Sequence, residues 1–356
     1  MGVIGVRFVL LSVGKSEPKP GIVIQESEQP KILPSQVLVE IKATAICGSD
    51  LHLYRWDELP AVRWKTPLPM TMGHEWSGKV VEVGRDVRNL RPGDKVAGES
   101  HIPCGNCYYC RTGKMHICQN LLIFGCHTRE GSFANYAAVP EIIGYPLPSS
   151  ISFEEGSLFE PFGVALHGVE RVGIEPGDVV LVMGCGPIGI FAQQIAKTSG
   201  ASMVIASEIK PFRIDLARKV GAADVVVNNE TEDLVKRTMD LTNGRGADVV
   251  IELAGSPTTF HQSFQAVKKT GRVGLVGLTE KPVEVEPTSM IIYKEVTVAG
   301  STGRAMFETW ERITSLVARK RVDLTKVITD RLPLEKAEEG FQRVFRGESG
   351  KVLFIP

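Results

Sequence analysis

The sequence predicts an α/β protein in two parts: a doubly wound parallel sheet covered by helices, joined to a β-rich region. Three observations predict it. Between residues 178 and 277, short apolar runs alternate with stretches of helical patterning. The first 150 residues or so carry Val- and Ile-rich runs broken by Gly and Pro. A glycine-rich turn also sits where the first apolar run of the alternating series meets its first helix.

In the first region, residues 8–13 read as an opening strand. They are too few to span a membrane and lack the cleavage pattern of a secretory signal. Residues 37–43 and 79–83 read as further strands, and "RPGDKV" at 91–96 as one of the turns. The second region opens with the strand "DVVLVMG" (178–184) and a helix over 187–199. It continues with the strand "SMVIASE" (202–208), a helix over 211–220, the strand "ADVVVN" (223–228) and a helix over 232–241. The strand "ADVVIELAG" (247–255), a helix over 258–269 and the strand "GRVGLVG" (271–277) close the series. Strands alternating with helices of this length imply parallel pairing with helices on both faces. The last fifty residues are mixed, with a helix over 307–320 and a final strand, "KVLFIP". No internal repeat or low-complexity tract is present.

Composition narrows the function classes. A chain of 356 residues, 43% hydrophobic and 23% charged, is ordinary for a globular protein of about two domains. Lys+Arg and Asp+Glu balance at 41 each, so no broad basic field exists to attract nucleic acid or an anionic membrane. No run of eighteen apolar residues occurs, and a cytoplasmic location is expected.

Seven cysteines stand at 47, 104, 107, 110, 118, 126 and 185. Clustered cysteines in a large cytosolic chain favour metal over disulfides, and the odd total argues the same way. Cys104, Cys107, Cys110 and Cys118 follow a C-x2-C-x2-C-x7-C spacing. Four thiolates complete a tetrahedral zinc shell and leave no position for substrate, so this site is expected to be structural. An iron–sulfur cluster or a redox C-x-x-C pair are the alternatives.

"MGCGPIG" (183–189) supplies Gly184, Gly186 and Gly189 in G-x-G-x-x-G spacing, after a strand and before a helix. The first glycine allows the tight turn, the second lets the backbone approach a pyrophosphate, and the third permits close packing. The helix N-terminus favours the negative charge. Glu208, at the end of the next strand, is placed to bind ribose hydroxyls and repel a 2′-phosphate, which favours NAD over NADP. Lys210 and Arg213 follow closely and weaken that preference.

A second set is dispersed: Cys47 in "ICGSDLH", His74 and Glu75 in "MGHEWSG", and Glu160 in "LFEPFG". A thiolate, an imidazole and a carboxylate suit a catalytic zinc with an open position. Spacing alone does not single these residues out. With "CGSDLH", "GHEWSGKVVEVG", "GDKV", the four-cysteine segment, "GSFANYAAVP", "FEP", "GCGPIG" and Glu208, the chain resembles the zinc-dependent medium-chain dehydrogenase/reductase family over essentially its whole length. Within it, "SDLHLYRWDE", "HICQNLLIFG" and "GSTGRAMFETW" are similar to the polyol and threonine dehydrogenase branch.

The resemblance implies a Rossmann cofactor domain plus a β-rich GroES-like catalytic domain. Residues 1–160 would form the catalytic domain with a zinc lobe at about 99–120, residues 161–300 the NAD-binding domain, and 301–356 a return to the catalytic domain. It implies Cys47, His74, Glu75 and Glu160 as ligands of a catalytic zinc, with a second, structural zinc in each subunit. Glu160 would bind directly or through water. It implies Ser49 and His52 as the proton relay, and Asp50 behind a metal ligand. For the cofactor it implies Gly184, Gly186, Pro187, Ile188, Gly189, Glu208, Arg213, Leu278 and Arg304, the last facing a cofactor phosphate or substrate carboxylate.

The expected reaction is NAD-dependent oxidation of a secondary alcohol, with L-threonine the first candidate substrate. A polyol or vicinal diol, of the sorbitol or 2,3-butanediol kind, is the second. The threonine enzymes usually carry Thr at the position of Ser49 and Asn at that of Val164, and "FGVALHG" reads more like the polyol enzymes. A non-catalytic NAD-binding redox sensor is the alternative of another class. The expected partners are a small-molecule alcohol and identical subunits in a homo-tetramer, with no nucleic acid and no membrane.

Overall fold

The computed structural model describes residues 10–279 and 281–356. The alternating region forms a six-stranded parallel sheet in the order Val225–Asn228, Met203–Glu208, Val179–Met183, Ala247–Glu252, Val267–Leu275, Thr297–Gly300. In chain order that is 3-2-1-4-5-6, the doubly wound Rossmann arrangement. Val180, Leu181 and Val182 are all fully buried, as a sheet covered on both faces requires. The predicted strands and helices of this series are present with shifted ends.

Two differences stand out. The helix expected over 258–269 ends at Ala266, and the strand Val267–Leu275 starts at the next residue. A sixth strand, Thr297–Gly300, extends the sheet beyond the run expected to close it.

The first region folds into an antiparallel-rich seven-stranded sheet. Its path runs Gly144–Pro146, Lys95–Gly98, Glu75–Val83, Gln36–Ala45, Lys351–Phe354, Ile328–Leu332, with Tyr136–Pro140 also paired to Gln36–Ala45. Along Gln36–Ala45, Val37, Val39 and Ile41 point to one face and join Trp76 in one cluster. Gly98 exists for Trp76: a Cβ there would lie 2.0 Å from the indole. The opening strand is seen as Leu11–Lys15; the start of the expected 8–13 run lies outside the described residues. The C-terminal strand Lys351–Phe354 re-enters this first sheet, pairing Leu353 with Ala45.

A helix, Phe159–Val172, crosses the expected 160/161 boundary without a break, so the junction is packed rather than a linker. Its residues Phe159, Phe162, Ala165, Leu166 and Val169 share a core with Val180 and Val182 of the parallel sheet. No helix among the described residues is long and apolar enough to cross a membrane.

Candidate active site and metal centres

The glycine loop has the form its spacing implied. Gly184 has φ +101°, a conformation side chains rarely adopt. Gly186 caps the helix Pro187–Thr198, and a Cβ there would meet nothing nearer than Arg213 Nη1 at 4.0 Å, so this face of the loop stays open. A Cβ on Gly189 would lie 2.0 Å from the Gly184 carbonyl, which leaves room for glycine alone. Pro187 and Ile188 form the first helical turn. Glu208 ties the loop to the neighbouring strand: its carboxylate accepts from the backbone N–H of Cys185 (3.0 Å), Ile209 (2.8 Å) and Lys210 (3.1 Å). Leu278 stands 84% exposed in the segment after the strand Val267–Leu275, its backbone beside Gly255.

The dispersed set is assembled by strand register. Ala45 pairs with Glu75 across two antiparallel strands, so Cys47, two residues on, arrives beside His74 and Glu75. One donor atom from each of Cys47, His74 and Glu75 lies within 4.8 Å of the others. Cys47 also begins the helix Gly48–Arg55, where its N–H donates to Asp50 Oδ2 at 2.8 Å. Burial raises the Cys47 thiol, but His74 and Lys351 outweigh it and bring it down to about 7. Lys351 arrives through the pairing of Leu353 with Ala45, and its Nζ contacts both Glu75 oxygens at 2.5 Å in a buried ion pair. Burial works against the Lys351 charge, yet Glu75 holds its pKa above the usual lysine range.

These residues fit a zinc ion. The donor set suits zinc, and the buried Asp50 Oδ1 has no partner although His74 Nδ1 is 3.8 Å away. A metal on the other nitrogen would turn the Nδ1–H toward that oxygen, as carboxylates behind metal-bound histidines do.

Glu160 does not join the three. Its Oε1 accepts from Ser100 Oγ at 3.0 Å and Arg304 Nη1 at 2.8 Å. The expectation that Arg304 meets a cofactor phosphate or substrate carboxylate is corrected here: the residue is 1% exposed and its guanidinium pairs with the buried Glu99 and Glu160. Nε donates to Glu99 Oε2 at 2.7 Å, and Nη2 contacts Glu99 Oε1 and, at 2.7 Å, Ser100 Oγ. Trp310 Nε1 adds a further donor to Glu99 at 2.8 Å. Burial alone would raise the Glu99 carboxyl, but Arg304 holds it well below the usual carboxylate range. A buried guanidinium needs paired carboxylates, and Glu99 and Glu160 supply them.

Ser49 and His52 lie on the helix that Cys47 caps. Ser49 Oγ is 3.3 Å from His74 Nε2, and His52 Nδ1 is 2.6 Å from Asp57 Oδ2.

The four clustered cysteines converge as well, with one sulfur from each within 4.8 Å of the others. Cys118 Sγ accepts from the N–H groups of Cys104 (3.2 Å) and Asn120 (3.3 Å). Backbone N–H groups of Cys110 and Gln119 beside the Cys107 sulfur bring that thiol down to about 6, which favours the thiolate a zinc ion needs.

Comparison with known proteins decides the family. Residues 33–149 match the alcohol dehydrogenase GroES-like domain, and residues 187–319 match the zinc-binding dehydrogenase domain. A curated relative, the L-threonine 3-dehydrogenase of Bacillus licheniformis, is 42% identical over 96% of this chain and 97% of its own length. The chain belongs to the zinc-dependent medium-chain dehydrogenases. Solved members of this family superpose over nearly the whole chain. A Sinorhizobium meliloti 1021 dehydrogenase crystallised with NADP gives a TM-score of 0.89 at 33% identity, covering 98% of this chain and 100% of that one. The 2R,3R-butanediol dehydrogenase of Bacillus subtilis gives 0.87 at 32% identity, covering 98% and 99%. This medium-chain dehydrogenase is thus an oxidoreductase acting on an alcohol with zinc and a nicotinamide cofactor.

Several residues of the dehydrogenase site had no signal in the sequence. Lys351 is a single charge at the start of a strand, Glu99 lies just beyond the end of another, and Asp57 is one acid in "WDE". Cys126, whose Sγ is 3.8 Å from His74 Nδ1, looked like any isolated cysteine.

Proposed function

We propose that this dehydrogenase oxidises L-threonine at its secondary hydroxyl, with NAD as hydride acceptor. The observation that carries the reaction is the Cys47, His74 and Glu75 cluster, whose donors converge within 4.8 Å beside the partly exposed Ser49 and His52. Near-complete coverage of the threonine 3-dehydrogenase relative supports the substrate. Cys47, His74 and Glu75 would hold the catalytic zinc, and Cys104, Cys107, Cys110 and Cys118 the structural one. Zinc at the first site supplies Lewis-acid polarisation of the substrate oxygen. NAD would lie against Gly184, Gly186, Pro187, Ile188 and Gly189, its pyrophosphate at the N-terminus of Pro187–Thr198. Glu208 would face the ribose hydroxyls, with Arg213 beside the loop. Leu278 would border the nicotinamide end.

The chain's own groups do the rest of the work. Ser49 and His52 carry the hydroxyl proton out of the buried site. Arg304 holds the Glu160 carboxylate in place near the cluster, and Glu99 grips the other side of the same guanidinium. In this reading Glu160 acts from outside the metal shell, through a water molecule or by exchange.

Residues 1–160 with 301–356 would act as the catalytic unit and 161–300 as the cofactor unit. The edge strand Thr297–Gly300 pairs on one side only, and Ile292 (61%) and Tyr293 (75%) are exposed beside it, which supports assembly of identical subunits into a homo-tetramer. The cytosol is the compartment proposed.

A polyol or vicinal-diol substrate is the second reading. Val164 in "FGVALHG" and the likeness to 2R,3R-butanediol dehydrogenase favour it. The two separate in one assay: NADH formation by the zinc-loaded protein with L-threonine, sorbitol, 2,3-butanediol and simple secondary alcohols. The first reading requires the highest kcat/KM for L-threonine; a higher value for a polyol or diol overturns it.

A further inference from the structure

We infer that Asp57 is a positioning residue of this reaction, fixing the tautomer of His52 so that its Nε2 receives the proton the alcohol releases. The inference rests on the alcohol-oxidising reading above. It begins with a turn. The helix Gly48–Arg55 ends at Trp56, which adopts a left-handed conformation (φ 52°, ψ 49°). That turn folds the chain back on the last helical turn, where Asp57 N–H donates to the His52 carbonyl at 3.4 Å. The Asp57 side chain then meets the His52 ring, Oδ2 to Nδ1, at 2.6 Å.

The carboxylate is itself held. Its other oxygen, Oδ1, accepts from Leu59 N–H at 3.0 Å. An ionised carboxylate only accepts, so the shared hydrogen sits on His52 Nδ1 and the neutral ring keeps its lone pair on Nε2. The Trp64 ring stands edge-on to His52, with centroids 6.4 Å apart, and restricts the ring from that side. A base oriented by a third group is the arrangement that proton-transferring histidines use.

Helix geometry supplies the direction. Ser49 and His52 are three residues apart and share one helix face. Ser49 Oγ touches His74 at the buried end, while the His52 side chain is 24% exposed at the other. In the reaction the secondary alcohol loses a hydride from carbon to the nicotinamide and a proton from oxygen. That proton bonds to His52 Nε2, giving an imidazolium beside the Asp57 carboxylate. It then leaves Nε2 for bulk water and the neutral ring is restored.

A partly exposed ion pair contributes little stability, so the test reads the ring and the proton. In the zinc-loaded enzyme with 15N-labelled histidine, NMR reads the His52 tautomer without substrate. The first-turnover proton release with NAD and alcohol is followed by a pH indicator. The wild type is expected to hold the Nδ1–H tautomer. Asp57→Asn is expected to lose that preference and slow proton release about tenfold, with zinc content and the KM for NAD unchanged. Asp57→Glu should recover most of the rate. An Nε2–H tautomer in the wild type, or unchanged proton release in Asp57→Asn, overturns the inference. If Asp57→Asn does not fold, the wild-type tautomer and the Asp57→Glu rate decide. A wild type with the expected tautomer that forms no NADH from any alcohol overturns the alcohol-oxidising reading itself, and the proton role with it.

Discussion

The two zinc-ready clusters of this dehydrogenase are built in opposite ways. The four-cysteine site is written within fifteen residues, from Cys104 to Cys118, in a small lobe where three of the four cysteines are partly exposed. Its sulfurs converge because a short turn and backbone N–H groups aim them. The Cys47, His74 and Glu75 site buries His74 and Glu75 and exists only once separate strands have paired, with the C-terminal strand bringing Lys351. Glu75 alone depends on Lys351, 276 residues away. The local site has four like donors, the set that suits a metal closing it. The assembled site has mixed donors and resident ion pairs, so a substantial part of its charge balance belongs to the protein. The first design suits bracing, the second suits chemistry that needs an open position.

The sharpest way to break this contrast is to remove one ligand from each site. Cys47→Ser should lose one of two zinc ions and lower kcat/KM by on the order of 10³-fold, the loss of several kcal/mol of charge stabilisation, while circular dichroism and melting stay close to wild type. Cys104→Ser should lose the other zinc ion, lower Tm and leave the kcat of the remaining folded enzyme within a fewfold of normal. Metal analysis, thermal melts and steady-state rates read both variants. A Cys104→Ser enzyme that melts normally but cannot turn over would reverse the assignment.

A smaller effect sharpens the same point, because the charge network around Glu99 also exists only in the folded chain. Glu99→Gln leaves Arg304 buried with Glu160 as its one carboxylate, and should cost about 3 kcal/mol in urea unfolding at pH 7. The pH dependence has a definite sign. The folded carboxyl lies below its unfolded value of about 4.5, so the unfolded state binds more protons in the window below that value. Its stabilisation is therefore fully present at neutral pH and is lost as pH falls through the folded value. The gap between wild type and Glu99→Gln should narrow as unfolding is measured from pH 6 down to pH 3; a constant gap would remove the ionised Glu99 from the account.

How much of this was legible in the sequence follows the same division. The glycine loop and the cysteine lobe could be read because their parts are neighbours in the chain, and turn chemistry acts over a few residues. The parallel sheet could be read because its strands carry apolar runs, such as Val179–Met183, between stretches of helical patterning. The helix Phe159–Val172 escaped notice because Pro161, Gly163 and Gly168 lower its helical propensity. Packing explains two of them: a Cβ on Gly163 would lie 2.7 Å from Arg304 Cδ, and one on Gly168 2.8 Å from Val276. The helix Ala337–Arg346 was lost in a segment that looked mixed, though it buries Phe341. Arg304 was misplaced for a related reason: its partners lie 144 and 205 residues earlier, and no periodicity links them.

Glu208 belongs to the local kind, and its removal should have the smallest and most selective effect. Its carboxylate accepts from Cys185 of the glycine loop, 23 residues earlier, and from the turn that follows the strand Met203–Glu208. In Glu208→Ala the negative charge at the strand end disappears, while Arg213 remains beside the open face of Gly186. Repulsion of a 2′-phosphate falls and the nearby cation stays, so kcat/KM with NADP should rise relative to NAD by about tenfold. Of the three backbone N–H groups it releases, those of Ile209 and Lys210 belong to exposed residues, where water replaces the carboxylate, while that of Cys185 is buried, so Tm should fall by a few degrees. Steady-state rates with both cofactors read the first effect and a thermal melt the second. If the NAD to NADP ratio stays put while Tm falls steeply, Glu208 is a brace of the loop rather than the reader of the ribose, and the division between local and assembled sites would have to be redrawn at this residue.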